Sequence, residues 1–242
     1  MARDFQAKNI IVGAATFYVG PSGVELTKVN VSASSDTAQD PTKMADSASW
    51  NHLGYTQNGV TMNIEPTYGE VMVDQLLDVA RLFKSAQRVT VATSLTEATL
   101  ENLYVAIGSK KEDFKASATA AASAWLSDGG SGTPTTSNTI SGAASAAGVV
   151  TELLLNGGAL GYTPIERSVC FVGPGPANLA TGAGKVERIY IGYRAVSMDA
   201  VGQAVQRDNA TLFPVNMRLL PSETQSAADG NATYGKIVDR VY

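Results

Sequence analysis

The chain has 242 residues, of which 44% are hydrophobic and 17% are charged, and its net charge is −4. Disorder requires low hydrophobicity with high charge, so this composition predicts a folded chain. The acidic balance, without a cluster of Lys and Arg, argues against a DNA-binding groove. Cys170 is the only cysteine, which excludes an internal disulfide and a CxxC metal site.

The N-terminal segment is predicted to be part of the folded protein. Arg3 and Lys8 precede a short apolar stretch, an order that resembles a signal peptide. Asp4 interrupts the basic region and Gly13 breaks the apolar one, so we expect mature structure here. Residues 10–19 are rich in β-branched and aromatic types and predict a first strand. No apolar run reaches the length of a membrane span, so none is expected.

A long polar segment follows the second predicted strand. Residues 24–31 alternate apolar and polar side chains, as a strand does, whereas residues 32–49 show no such period. Loops of this length within a compact domain are usually functional or disordered. We therefore predict a contact loop over residues 30–55, with a disordered surface loop as the alternative.

Two further strands are predicted before the helix. Apolar and polar residues alternate from Gly59 to Glu65, which gives one buried and one solvated face. Pro66 is expected to end this ladder because proline has no backbone N–H. The alternation of Val89 and Val91 with polar neighbours predicts the next strand.

The strongest helix signal covers residues 97–107. Ser94 and Glu97 have the spacing of a capping box, and Thr96 is an alternative N-cap. Gly108 is expected to end the helix. Apolar side chains at helical spacing form one face that is predicted to pack on a sheet: Leu100, Leu103, Tyr104 and Ile107.

From residue 112 to residue 160 the sequence is dominated by Ala, Ser, Gly and Thr. This segment has too few large apolar residues for a core of its own, so we predict a surface insertion in one domain over residues 1–242. Further strands are predicted over residues 149–155, 168–172, 186–196, 213–219 and 237–242. Many short strands with one helix predict a mainly β fold, either a sandwich or a partial barrel.

No motif in the chain indicates catalysis. His52 is the only histidine, so a Ser-His-Asp or Cys-His site would have to use it, and a packing or solvated role is favoured. Residues 182–185 suggest a phosphate loop, but Val186 stands where Ser or Thr must bind magnesium. Glu65 and Glu70 are more typical of solvated acids than of a glycosidase pair. We therefore predict no enzymatic activity, no metal and no cofactor.

Several short motifs follow one another along the chain. They are Trp50-x-x-Leu53-Gly54-Tyr55, Gly59-Val60, Val89-x-Val91, Glu97-Ala98-Thr99-Leu100-Glu101-Asn102-Leu103, Arg167-Ser168-Val169-Cys170-Phe171-Val172-Gly173-Pro174 and Tyr234-Gly235-Lys236-Ile237-Val238-Asp239. In this order they resemble the major tail (tail tube) proteins of long-tailed bacteriophages with non-contractile tails. The likeness covers roughly residues 10–108 and 162–242, and the Ala/Ser/Gly-rich insertion has no counterpart in it.

The resemblance implies two packed antiparallel sheets, a tail-tube-like β-sandwich, with one flanking α-helix. It implies that six subunits form a homohexameric ring and that rings stack into the tail tube of the virion. The tube would be assembled in the host cytoplasm and would enclose the tape-measure protein. It would also meet tail terminator and tail-tip proteins, and conduct DNA as a non-specific cargo during genome ejection.

Two sets of site residues follow from this resemblance. The polar side chains Asp36, Asp40, Lys43 and Asp46 are predicted to make contacts between rings, while Trp50 and Leu53 anchor the base of the contact loop. The acids Glu65, Glu70 and Asp74 are candidates for the lumen, because a negative wall would not bind the phosphates of passing DNA.

Two alternatives remain open at this stage. One is the tube protein of a contractile tail or of a secretion-type injection machine. The other is a virion decoration or carbohydrate-binding β-sandwich, which would be expected to expose clusters of aromatic residues. Aromatic residues make up 7% of the chain and are spread through the predicted strands, which favours the tube.

Overall fold

The computed structural model describes residues 11–22, 33, 35–43, 50–75, 78–109, 113–116, 151–155, 157, 160–161, 163–176, 184–198, 201–202, 210–226 and 232–242. The strands are β1 Thr16–Pro21, β2 Asn51–His52, β3 Thr56–Val71, β4 Arg81–Leu95, β5 Phe114–Ala116, β6 Thr151–Leu153, β7 Glu166–Pro174, β8 Val186–Ser197, β9 Phe213–Leu220, β10 Ser222–Ser226, β11 Ala232–Thr233 and β12 Gly235–Val241. The helix α1 is Leu100–Ile107, and a 3₁₀ turn spans Pro41–Lys43. The prediction of a mainly β chain with one helix and antiparallel sheets is confirmed.

Eight of the strands form one antiparallel sheet that divides along β8. The strand order is β2-β1-β7-β8-β9-β4-β3, and β12 also pairs with β8. β12 lies beside Val186 to Gly192 of β8, whereas β9 lies beside Arg194 to Ser197. The sheet therefore has two halves that share β8: one contains β1, β7 and β12, and the other contains β9, β4 and β3. Two separate hairpin-like pairs are β10 with β11 and β5 with β6.

Gly192 lies at the point where the two halves separate. A Cβ atom at this position would lie 2.7 Å from a methyl carbon of Leu219 and 2.9 Å from one of Val169. Both distances are too short for a real contact. The absence of a side chain at Gly192 thus allows β9 and β7 to pack closely across the division of the sheet.

A large core cluster lies between the two halves of the sheet and the helix. Its buried members are Phe17, Val19, Leu53, Val89, Val91, Leu95, Tyr104, Val105, Ala106, Val169, Phe171, Ala195, Phe213, Val215, Met217 and Leu219. The alternation of apolar residues along β4 and β9 places every second side chain in this cluster. Burial of this apolar surface is the main contribution to folding.

A small core cluster covers the opposite face of the first half. It contains Tyr18, Ala38, Trp50, Cys170, Val172, Ile189, Ile191 and Tyr193. β1 and β7 are consequently buried on both faces, which explains why their apolar residues form a nearly continuous run.

The helix α1 begins three residues later than the sequence predicts. Thr99 is the N-cap, and its side chain accepts a hydrogen bond from the backbone N–H of Asn102. Gly108 adopts a left-handed conformation after the last turn, and its N–H bonds to carbonyl oxygens of the helix. The predicted end at Gly108 is therefore confirmed. The predicted N-caps, Ser94 and Thr96, are wrong because β4 extends to Leu95.

The buried face of the helix differs in part from the predicted one, since Tyr104 is buried as predicted while two other predicted members are not. The buried residues are Asn102, Tyr104, Val105 and Ala106, whereas Leu100 and Ile107 are each 38% exposed. Leu103 is partly buried against the large cluster. The physical reason lies in Asn102, whose side-chain amide donates to the backbone oxygens of Leu53 and Glu97 and so turns a polar residue inward.

Two further expectations need correction. Pro66 does not end a strand, because β3 continues to Val71. β3 is the last strand of its half of the sheet, and a proline is tolerated on such an edge where its missing N–H faces outward. The two predicted packed sheets are the two halves of one sheet, because β8 is long enough to pair with strands of both.

Several predicted features lie outside the described residues. They include the second predicted strand over residues 24–31 and most of the insertion over residues 112–160. Within that insertion the structure describes the short strands β5 and β6, which pair with each other.

Candidate assembly surface

A long hairpin extends beyond the rest of the sheet. β9 pairs with β4 only from Val89 to Leu95, so among the described residues no third strand lies beside residues 65–88 of the β3–β4 hairpin. We call this segment the arm. It presents large apolar side chains to solvent: Tyr68 is 58% exposed, Leu82 60% and Phe83 49%. Single exposed apolar residues are ordinary, but several on one short ribbon indicate an interaction surface.

Both faces of the arm carry apolar side chains. Leu82 lies opposite Glu70 on one face, and Phe83 lies opposite Gly69 on the other. The ring of Phe83 covers Gly69 so closely that a Cβ there would lie 2.5 Å from the ring. Apolar surface on two faces of one ribbon is more than a single hairpin can bury by itself.

The three acids predicted for the lumen do not share one face. Glu65 lies opposite Arg88, whereas Glu70 is five residues further along β3 and its side chain therefore points to the other face. Asp74 lies in the turn region at the tip of the arm. All three side chains are exposed. Their position in a lumen stays a prediction.

The solvent-facing side of β3, β4 and β9 is polar. Register places the following side chains on it: Thr61, Asn63, Glu65, Arg88, Thr90, Ala92, Ser94, Asn216 and Arg218. An open depression of about 370 Å³ lies on this face beside Thr61, Ser94 and Asn216. The two arginines and one glutamate give the face a charge of about +1 rather than a purely acidic character.

The described part of the predicted contact loop packs on the sheet. Tyr18 donates from its phenol oxygen to the backbone oxygen of Ala38 at 2.8 Å. Thr16 donates to the backbone oxygen of Gln39 at 3.1 Å, and the Gln39 amide donates to Val172. Residues 35–43 thus cover the small cluster, so this part of the loop is a component of the fold.

A buried carboxylate holds this segment in place. Glu187 on β8 is 1% exposed, and its Oε2 accepts from the Thr37 hydroxyl at 2.6 Å and the Ala38 N–H at 2.8 Å. Its Oε1 accepts from Arg240 on β12 at 3.3 Å. Arg240 also donates to the backbone oxygens of Ala33 and Asp36. We call Glu187, Arg240 and Thr37 the clasp, since they join the loop, β8 and β12.

The residues predicted to connect rings make local contacts where they are described. The backbone oxygen of Asp36 accepts from Arg240 in the clasp. Asp40 accepts from the hydroxyl and N–H of Thr42, and these hydrogen bonds hold the pKa of its carboxyl below the usual value. Lys43 is exposed, and Asp46 lies outside the described residues. Contacts between rings stay a prediction for these four residues.

The two predicted loop anchors are both buried. Trp50 is 3% exposed in the small cluster, and Leu53 is 1% exposed in the large cluster. The backbone N–H of Leu53 donates to Phe17, and its carbonyl accepts from the Asn102 side chain. Leu53 therefore connects β1 to the start of the helix.

The only cysteine and the only histidine of the chain differ in their surroundings. The Cys170 thiol is buried, and burial is the main cause of its raised pKa. His52 is exposed, and its Nδ1 accepts from the N–H of Gly54. Among the described residues, no group of three His, Cys, Asp or Glu side chains could hold a metal ion. Nor does the described part of the chain contain a helix long and apolar enough to cross a membrane.

No protein-family model matches the sequence, and no curated protein is significantly similar to it.

Sequence reasoning missed the arm as a surface. The signal was present in the apolar residues Tyr68, Val71, Met72, Leu82 and Phe83, which occur on both sides of the turn at Asp74 and Gln75. The proline rule predicts that the strand ends at Pro66, and this prediction hides the continuation of β3 to Val71. A strand on the edge of a sheet removes that constraint.

Proposed function

We propose that this chain is a self-assembling structural protein, the subunit of a bacteriophage tail tube of the long, non-contractile type. In this proposal homohexameric rings stack into a tube that encloses the tape-measure protein and conducts DNA. Tail terminator and tail-tip proteins are its further partners, and the virion is its location. The order of the sequence motifs supplies the identity of the assembly, and the arm supplies the observation that supports assembly itself.

The arm is the main support for this proposal, because a single chain does not bury its apolar side chains. A two-stranded ribbon is marginally stable in water unless it packs on something. Here the ribbon exposes Tyr68, Leu82 and Phe83, and no third strand lies beside it in the described residues. Contact with another copy would bury these side chains and stabilise the ribbon.

The sheet has open edges that also favour assembly. β3 is terminal in the sheet, and β12 has no described neighbour beyond β8. Free edges in a monomer invite uncontrolled pairing with other chains. A closed ring of identical subunits removes the hazard because every edge meets its partner.

The experiment is sedimentation and negative-stain electron microscopy of the purified chain at high concentration, with and without tail-tip components. We expect rings or tubes from the intact chain. A variant that replaces residues 67–86 by Asn-Gly keeps the paired residues Pro66 and Gln87 and closes the hairpin with a favoured turn. This variant is expected to fold and to remain unassembled.

A matched deletion of similar length serves as the control. Removal of residues 129–147 takes away part of the insertion that the sequence predicts to lie outside the tube wall. We expect tubes from this control. A strictly monomeric intact chain, even with tail-tip components present, would contradict the proposal. Tubes formed without the arm would remove the observation that supports it.

A further inference from the structure

Apart from the two-residue strand β2, which pairs only with β1, two strands of the main sheet have an edge that meets no other strand in the described residues. β3 pairs only with β4, and β12 pairs only with β8. Which backbone groups point outward from each edge can be read from neighbouring hydrogen bonds. In antiparallel pairs, alternate residues direct both their N–H and their C=O to the same side.

The hydrogen bonds of Tyr242, which follows β12, show which backbone groups of β12 point away from β8. Tyr242 and Lys185 exchange two backbone hydrogen bonds, of 2.9 and 3.0 Å, so Tyr242 directs its polar groups toward β8. By alternation, Ile237, Asp239 and Val241 direct their N–H and C=O groups away from β8. These groups form the free edge.

The apolar side chains of this edge lie on the face of the large cluster. Ile237 is opposite Tyr190, whose ring stacks on Phe171 with centroids 4.3 Å apart. Phe171 belongs to the large cluster. Ile237 is nevertheless 53% exposed and Val241 44% exposed. The face of the large cluster therefore continues onto β12 without a cover.

The position of Pro66 opposite Gln87 shows which backbone groups of β3 point away from β4. The backbone oxygen of Gln87 accepts from the hydroxyl of Tyr234 at 3.0 Å, on the side of β4 away from β3. Pro66 is opposite Gln87, so its backbone groups likewise point away from β4. The preceding residues with this orientation are Val60, Met62 and Ile64. Val60 and Met62 pack against the large cluster, so the side chains of this edge share that face.

We propose that β3 of one copy pairs antiparallel with β12 of a neighbouring copy, with Ile64 opposite Ile237; this rests on the proposed self-assembly. Directly opposed residues of an antiparallel pair share a face. The pairing therefore joins the large-cluster faces of the two copies. It places Ile64, which is 55% exposed, against Ile237, and it places Val60 against Val241. Parallel pairing would instead continue this face of β3 into the opposite face of β12.

Charge is consistent with this partner and this register. The only charged residues of β3 are Glu65 and Glu70, which give −2. β12 carries Lys236 and Arg240 against Asp239, which gives +1. With Ile64 opposite Ile237, Glu65 lies opposite Lys236 on the other face. One chain thus carries both complementary edges, and a second copy is the occupant that fits each of them.

Disulfide trapping between copies tests the pairing. Ile64→Cys is placed in one tagged copy and Ile237→Cys in another, and the assembled mixture is mildly oxidised. Opposed Cα atoms in a hydrogen-bonded pair lie about 5.5 Å apart, within the range that a disulfide spans. Cys170 is buried, so it is not expected to form competing disulfides. We expect a disulfide between the two tagged copies.

The control combines Glu65→Cys with Ile237→Cys, which lie on opposite faces in the proposed pairing and are expected to remain unlinked. Charge reversal provides a second measurement that needs no cysteine. Glu65→Lys or Lys236→Glu alone is expected to raise the concentration at which assembly begins by about two- to fivefold. The double variant Glu65→Lys with Lys236→Glu is expected to restore it.

The outcomes separate this inference from the function on which it rests. Assemblies that form normally but show no Ile64→Cys to Ile237→Cys link, or that link the control pair equally well, overturn the edge pairing and leave self-assembly intact. Single charge reversals without effect on assembly also overturn it. A chain that never assembles overturns both.

Discussion

The β1–β7 region and the arm use similar apolar residues in opposite ways. In β1, the consecutive residues Phe17, Tyr18 and Val19 are all buried, because the large cluster covers one face and the small cluster covers the other. In the arm, Leu82 and Phe83 are also consecutive and point to opposite faces, yet both are about half exposed or more.

This difference shows where each region finds its partners. β1 obtains cover on both sides from its own chain: the second half of the sheet and the helix on one side, and residues 35–43 on the other. The arm has no such cover in the described residues. Substitutions in the first region are therefore expected to lower the free energy of unfolding, and substitutions in the arm to affect assembly alone.

The largest expected effect on stability comes from Tyr104, which lies in the helix and belongs to the large cluster together with residues of β1 and β7. Tyr68 in the arm is compared with it. Tyr104 is 0% exposed, and the guanidinium carbon of Arg167 lies 4.5 Å from the centre of its ring. Tyr104→Ala removes a large core side chain and the aromatic partner of a buried cation. We expect a loss of about 3–5 kcal/mol in the free energy of unfolding, measured by urea denaturation.

Tyr68→Ala in the arm is the matched substitution. It is expected to change the free energy of unfolding of the single chain by less than about 0.5 kcal/mol while reducing assembly. A similar loss of stability from both substitutions would remove the distinction between the two regions. Normal assembly by Tyr68→Ala would show that the exposed face of the arm has no partner at that position.

A substitution in the clasp tests whether residues 35–43 are held over the small cluster by Glu187. Glu187→Ala leaves the Arg240 guanidinium without its carboxylate and removes the acceptor for Thr37 and Ala38. Removal of one partner from a buried ion pair typically costs about 3 kcal/mol or more. We expect such a loss, together with faster backbone hydrogen exchange over residues 35–43. Glu65→Ala, an exposed acid in the arm, is the control; equal effects of the two would contradict the clasp.

The sequence predicts the strands of the core better than those of the surface. Alternation predicts a strand around Val89 and Val91, which lies within β4, and the strand predicted over residues 213–219 corresponds to β9, Phe213–Leu220. Each of these strands buries alternate side chains in the core. β8 was predicted over residues 186–196 and spans Val186–Ser197. These patterns are local, so a single sequence contains them.

Other features depend on contacts that are distant in the sequence. On the predicted helix face Tyr104 is buried, but Leu100 and Ile107 are partly exposed, because the bonds of Asn102 to Leu53 and Glu97 turn the helix toward Val105 and Ala106. The clasp joins residues more than 140 positions apart, so no local pattern reveals it. No local pattern reveals the exposure of the arm either, because that exposure depends on whether other strands pack beside the hairpin.

A smaller effect is expected at the start of the helix, which covers one side of the large cluster. The Thr99 side chain accepts from the N–H of Asn102 at 3.1 Å. Thr99→Ala leaves that donor without its cap and is expected to cost about 1 kcal/mol in the free energy of unfolding. Ser94→Ala, at the N-cap that the sequence favoured, is expected to cost less. The reverse order would mean that the helix begins before Leu100 in solution.

The smallest expected effect concerns an ion pair at the rim of the first region. Glu166 on β7 accepts from the Arg194 guanidinium at 2.6 and 2.7 Å, and the two side chains are 25% and 34% exposed. The hydrogen bonds from Arg194 are the main cause of the lowered pKa of Glu166. Because this pKa is lower in the folded chain than in the unfolded one, the pair contributes stability above the unfolded value of about 4.3 and loses it as the pH falls through the folded value.

Glu166→Gln removes this contribution without a large change in volume. At pH 7 we expect a loss of about 1 kcal/mol or less, as is usual for a partly exposed pair. As the pH falls below the unfolded value, the difference between the variant and the native chain is expected to shrink, because the unfolded chain takes up a proton at Glu166 more readily than the folded ion pair does. Urea denaturation at pH 7 and pH 3 measures this. A difference that stays constant across that range would show that Glu166 contributes through packing rather than through its charge.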